Sequence, residues 1–154
     1  MAAYYLDTSA LVKLYIEEAG TDKLLDLAAN IERGMWAVSD LARVEFRAAV
    51  GRRQREGDIS PETSREIFSE LDQHIGSLYL VQPVTSSVVE EAIALLDRHP
   101  LRAYDSVQLA GCIVLSRMER TSARTFVCAD RTLLQAATAE GLTVFNPLDG
   151  DIAD

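Results

Sequence analysis

The sequence predicts an α/β fold, a three-layer sandwich in which a parallel sheet lies between helices. Five short apolar runs of strand character are separated by longer stretches with helical periodicity. Strand and helix alternate along the chain, and that alternation calls for right-handed crossovers between parallel strands. The 154 residues are enough to bury one core unaided, and no repeat, low-complexity tract or linker divides them. Residues 1–154 therefore read as a single domain, with 148–154 a short C-terminal tail.

The expected strands are Ala3–Leu6, Met35–Val38, Leu78–Val81, Thr125–Cys128 and Leu142–Phe145. A first helix over Ser9–Glu18 carries Leu11, Val12, Leu14 and Tyr15 and stops before Gly20; a second follows over Thr21–Ile31. Asp40–Glu56 reads as a long helix ending at Gly57, with an apolar stripe through Leu41, Val44, Ala48 and Gly51. Ser60 and Pro61 supply an N-cap and an N1 proline for a helix reaching His74. Ser87 and Glu90 have capping-box spacing and open a helix through Arg98, before Pro100. Tyr104–Glu119 is apolar on nearly every face, which predicts a central, buried helix. Arg131–Ala139 leads into Gly141, a C-cap signal before the last strand.

Composition narrows the class. No apolar run is long enough to span a bilayer, and the N-terminus lacks a basic region followed by an apolar stretch, so a cytoplasmic protein without a membrane anchor is expected. Cys112 and Cys128 sit in apolar runs without C-x-x-C spacing, which predicts buried free thiols rather than a zinc site. A formal net charge of −9 argues against indiscriminate nucleic-acid binding while leaving room for an acidic centre that holds cations. Arg43, Arg47, Arg52, Arg53 and Arg55 cluster on the Asp40–Glu56 helix, where they either complement its dipole or meet a partner.

In a parallel sheet, ligands gather beyond the carboxyl ends of the strands. Asp7 follows the first strand and Asp130 the fourth, while Asp105 falls in the opening turn of the buried helix. Each also has an ordinary role as a cap or first-turn carboxylate, and capping alone is the reading of Asp40. Glu45 stands mid-helix along the face of that apolar stripe, where it cannot cap; burial there calls for an arginine partner or a cation. Four converging carboxylates repel one another unless a cation compensates. A donor set made only of hard oxygens points to Mg2+ or Mn2+, and such a site suits phosphate chemistry.

The segments YYLDTSALVKLY, VEFRAAV, LRAYDSVQLA and FVCADRTLLQAA, followed by GLTVFNP, resemble the PIN-domain ribonucleases, most closely the VapC-type toxins of toxin–antitoxin pairs. The resemblance spans essentially the whole chain, with the motifs in the family's order. It implies a five-stranded parallel sheet of order 3-2-1-4-5, which would make Asp7 and Asp130 neighbours. It implies that Asp7, Glu45, Asp105 and Asp130 are the acidic quartet around one or two divalent metals, Mg2+ or alternatively Mn2+. Asp7 and Asp105 would then be direct ligands, with Glu45 and Asp130 acting directly or through water. Thr8 or Ser9 would orient Asp7 or a phosphate, and Asn146 would lie at the site's margin, although local capping and a turn before Pro147 account for these residues equally well.

The implied activity is metal-dependent endonucleolytic hydrolysis of RNA, with a small antitoxin protein and a second copy of the chain as partners. The implied dimer contact runs through the early helices. Three other readings compete. A haloacid-dehalogenase-like phosphatase needs a second aspartate where Ser9 stands, and a phosphorelay receiver needs a late lysine, whereas no lysine lies beyond Lys23. A catalytically silent binding module would not need all four acidic residues. His74, near a helix end, and His99, beside Pro100, read as surface residues without a role as base.

Overall fold

The computed structural model describes residues 3–30, 32, 35–119 and 124–149. Strands β1 (Tyr4–Leu6), β2 (Trp36–Ser39), β3 (Tyr79–Gln82), β4 (Thr125–Val127) and β5 (Thr143–Phe145) form one parallel sheet of order β3-β2-β1-β4-β5. Both the three-layer sandwich and the expected strand order are present. Because strand side chains alternate, the central strands divide the interior into two cores. Tyr5, Ala37 and Phe126 face α5 (Ser86–Arg98), α6 (Ala103–Met118) and α7 (Arg131–Ala139). Leu6, Val38 and Val127 face α1 (Thr8–Lys13), α2 (Thr21–Ala29), α3 (Asp40–Arg55) and α4 (Pro61–Ser77).

Helix α6 is the central, buried helix that its composition predicts, with Leu109 through Leu115 all buried. It lies very close to the sheet at Gly111, where an added Cβ would stand 2.2 Å from the Tyr5 hydroxyl oxygen. Tyr5 is fully buried and stacks on Phe126 with ring centroids 6.1 Å apart, so it has no room to retreat.

Three local expectations differ from the structure. Helix α1 ends at Lys13 rather than Glu18, because the Thr21 hydroxyl donates to the Lys13 carbonyl at 2.9 Å and accepts from the Glu18 N–H at 3.0 Å, replacing helical bonds. Helix α5 is capped by Thr85, whose hydroxyl accepts from the Val88 N–H at 3.3 Å, and not by Ser87. In α3 the buried row is Ala42, Phe46 and Val50, whereas Val44 is 67% exposed. Phe46 decides that phase by packing edge-on against Tyr15 at 5.3 Å. The Ile31 end of α2 and residues 150–154 of the expected tail lie outside the described residues.

Gly111→Ala is expected to destabilise the fold by about 2–3 kcal/mol in urea unfolding, since overpacking a rigid interface forces side chains off their rotamers. Tyr5→Phe removes the opposing oxygen and should recover most of that loss in the double variant. Simple additivity of the two changes would show that this contact does not set the helix–sheet distance.

Candidate active site

Sheet order 3-2-1-4-5 puts the reversal of strand order between β1 and β4, and a crevice opens beyond their carboxyl ends. The Asp7 N–H donates to the Val127 carbonyl at 3.1 Å, extending the β1–β4 ladder to the rim of that crevice. Asp7, Glu45, Asp105 and Asp130 all line one cavity there, of about 450 Å³.

Asp7 and Asp130 do cap helices. Oδ1 of Asp7 accepts from the Ala10 N–H at 3.1 Å, and Oδ1 of Asp130 accepts from the Leu133 N–H at 2.9 Å. Asp7 also accepts from the Ser9 hydroxyl at 2.7 Å and from the Cys128 thiol at 3.3 Å. Every one of these donors is neutral. With Asp7 only 5% exposed, burial raises its carboxyl from 3.8 to about 6, even though the Ser9, Ala10 and Cys128 donors pull the other way. Burial likewise holds the Cys128 thiol protonated, well above its usual range.

Glu45 is half-buried at the border of the α3 core face, because the stripe expected to carry it inward is not the row that packs. Its Oε1 accepts from the Gln108 amide at 2.7 Å and the Thr8 hydroxyl at 3.2 Å, and it makes no ion pair among the described residues. Among the described residues Asp105 alone of the four has a cationic partner, Arg102, whose Nε lies 3.2 Å from Oδ2. Asp40 stays outside the cavity; it pairs with Arg43 at 3.1 Å, and the cap of α3 is Ser39 instead.

Several contacts escape a reading of the sequence. Ser9 accepts from the Ala129 N–H at 2.9 Å while donating to Asp7, so one hydroxyl ties the β1–α1 and β4–α7 turns together. Gln108 is 1% exposed and links Glu45 to Thr8, to which its amide also donates at 3.0 Å. Its position one helical turn after Asp105 was the available signal. Cys128 is the buried free thiol expected, but it touches Asp7. Asn146 lies away from this cavity, in a turn where its Oδ1 accepts from the Leu148 N–H at 2.9 Å. His74 and His99 are both half-buried instead of exposed, His74 with Nδ1 2.7 Å from the Tyr15 hydroxyl and His99 with Nε2 2.7 Å from Glu140.

Among the described residues no three His, Cys, Asp or Glu side chains stand close enough to hold a metal ion as they are. Physically this fits four like charges facing one cavity: each turns toward its own donor, which is a cation for Asp105 only. The donor set nevertheless fits a hard divalent cation, since all four are carboxylates on one cavity and the most buried one has only neutral partners.

A family model described as PIN domain matches residues 4–117. The chain is 32% identical over 145 residues to Ribonuclease VapC47 of Mycobacterium tuberculosis (strain CDC 1551 / Oshkosh), covering 93% of this chain and 96% of the relative. Among solved structures it resembles the Mycobacterium tuberculosis toxin VapC20, described as cleaving the sarcin–ricin loop, with a TM-score of 0.65 at 17% identity over 91% of this chain and 96% of that one. A toxin–antitoxin complex from Klebsiella pneumoniae matches with a TM-score of 0.62 at 14% identity over 94% and 97%. At those identities the structural likeness speaks for the fold.

In chelator, stability should fall as pH rises from about 4 to 7 on account of Asp7, because a carboxyl raised on folding binds its proton more tightly in the native state. Asp7→Asn removes that loss and should stabilise the metal-free protein at pH 7.5 by about 1–3 kcal/mol. Urea titrations of both proteins across that range check the sign; parallel pH profiles would show that Asp7 is not strained.

Proposed function

The chain belongs to the PIN-domain family and stands with its VapC-type ribonucleases, and on that premise we propose that it is the toxin of a toxin–antitoxin pair, a metal-dependent endoribonuclease. The observation that carries this reading is a single cavity lined by Asp7, Glu45, Asp105 and Asp130, with the deepest carboxylate surrounded by neutral donors alone. Asp7 and Asp105 would hold Mg2+ or Mn2+ directly, and Glu45 and Asp130 directly or through water. The bound ion supplies Lewis acidity and a nucleophilic water at neutral pH for phosphodiester hydrolysis.

The chain's own residues prepare that centre. Ser9 holds Asp7 in place and Gln108 with Thr8 aims Glu45, so two of the four carboxylates are oriented by buried or half-buried neighbours. Arg102 is 84% exposed and can swing off Asp105, freeing that carboxylate for the cation. No histidine lines the cavity among the described residues, so an imidazole pair activating the RNA 2′-hydroxyl is not part of the reading. Water is then the nucleophile, and the products carry 5′-phosphate and 3′-hydroxyl ends.

A small antitoxin protein is the expected partner, and a basic side chain from it would find charge complementarity in the acidic cavity. A homodimer fits the same family reading. No described helix is long and apolar enough to cross a membrane, and two buried free thiols suit a cytoplasmic setting.

Incubating antitoxin-free protein with total RNA should give cuts with Mg2+ and none with chelator, and sequencing should find 5′-phosphate ends. Asp7→Asn and Asp105→Asn should each lower the rate to about one-hundredth or less. Cyclic-phosphate ends, or full activity in both variants, would overturn the site assignment.

A further inference from the structure

The arginine cluster of α3 has a use that the carboxylate centre does not absorb. Eight described arginines are ion-paired: Arg43, Arg47, Arg53, Arg65, Arg98, Arg102, Arg117 and Arg124. Arg52, Arg55 and Arg131 make no ion pair among the described residues, and of these only Arg52 lines the carboxylate cavity. In a chain of net charge −9, a guanidinium kept clear of any carboxylate beside four of them is placed to receive another anion.

Its position follows from helix geometry. Glu45, Ala49 and Arg52 share one face of α3, and the seven-residue step from Glu45 to Arg52 covers about 10 Å along the axis. A strand whose reacting phosphate lies among the carboxylates therefore brings a flanking phosphate to Arg52. Beyond it the surface continues into a second cavity of about 380 Å³ that shares Thr8, Ser9, Ala49 and Arg52 with the first. Lys13 and Arg53 line that extension, both paired to Glu18, and Glu56 lines it as well, so that with Arg52 three cations face two carboxylates along this wall.

On the other side of the carboxylates stands Tyr104, 63% exposed at the start of α6 and directly before Asp105. Among the described residues its hydroxyl has no hydrogen-bond partner, and an exposed ring at the rim of an anion-handling cavity offers a stacking face. Such a face accepts an unpaired base and cannot reach one held in a duplex.

We propose that Arg52 and Tyr104 are the positioning residues for a single RNA strand, Arg52 taking a phosphate flanking the one to be cut and Tyr104 stacking on an unpaired base. This rests on the ribonuclease reading but is tested apart from it. Anisotropy of a fluorescein-labelled, mixed-sequence single-stranded RNA is measured in Mg2+ on the Asp7→Asn background, where binding is seen without cutting. Arg52→Gln should weaken binding about tenfold and lower the slope of log affinity against log salt by about 1. Tyr104→Leu should weaken it about tenfold without changing that slope. Arg52→Lys should keep the slope, and Tyr104→Phe should keep the affinity. In the otherwise wild-type enzyme the same substitutions should act on KM more than on kcat. Both changed side chains are exposed, so folding is not at stake. Equal affinities across the set, an equal effect of Tyr104→Leu on a blunt duplex, or no strand binding at all would overturn the proposal. Strand binding with this pattern but no cutting of any RNA would instead overturn the nuclease reading and leave the track standing.

Discussion

A buried carboxylate without a cation, Asp7 at the end of the central strand, is the constraint around which the rest of the site is arranged. Its three neighbours, the Ser9 hydroxyl, the Ala10 N–H and the Cys128 thiol, satisfy its oxygens but carry no charge. Burying a carboxylate is costly unless it is paired or coordinates a metal. Here the hydrogen bonds lower that cost without cancelling it, so the proton affinity of Asp7 stays raised. A side chain held in that condition is strained toward a cation, and the other three carboxylates face the same space.

The sheet order is what makes the strain local. With β1 between β2 and β4, the turns after β1 and β4 lie side by side, and the Ser9 hydroxyl spans them. Helix α6 then brings Asp105 and Gln108 in from one face of the sheet, and α3 brings Glu45 from the other. The approach of α6 depends on Gly111 lying against Tyr5, a core contact remote in kind from the chemistry but necessary to it. Fold and cavity meet in the same few turns: Asp7 and Asp130 cap helices and also line the space shared with Glu45 and Asp105, so the capping role does not turn either of them away from it.

Asp7, Asp130 and Asp105 were legible because each sits at a boundary that hydrophobic runs reveal, a strand end or a helix start. Glu45 was found on a mistaken premise. Of the expected stripe, Val44 and Ala48 are exposed and Leu41 is half-buried, and the row that packs is Ala42, Phe46 and Val50. Both rows contain small or apolar residues at helical spacing, and only the bulk of Phe46 against Tyr15 chooses between them. Glu45 reaches the cavity from the border of the true core face, held by residues thirty-seven and sixty-three positions away in the chain. Arg102 pairs with Asp105 at i,i+3, yet nothing in the sequence distinguishes it from Arg52, which makes no ion pair among the described residues.

By itself the sequence determined the class of fold, the order of its elements and the residue types at the strand ends, because periodicity, caps and breakers act over a few neighbouring residues. Only the tertiary structure decided which oxygens find which donors, which arginines stay without a carboxylate, and that a cysteine and a glutamine belong beside the acidic set. Those choices depend on distances between segments far apart in the chain, and on charges whose cost is set by how much water the assembled protein leaves around them.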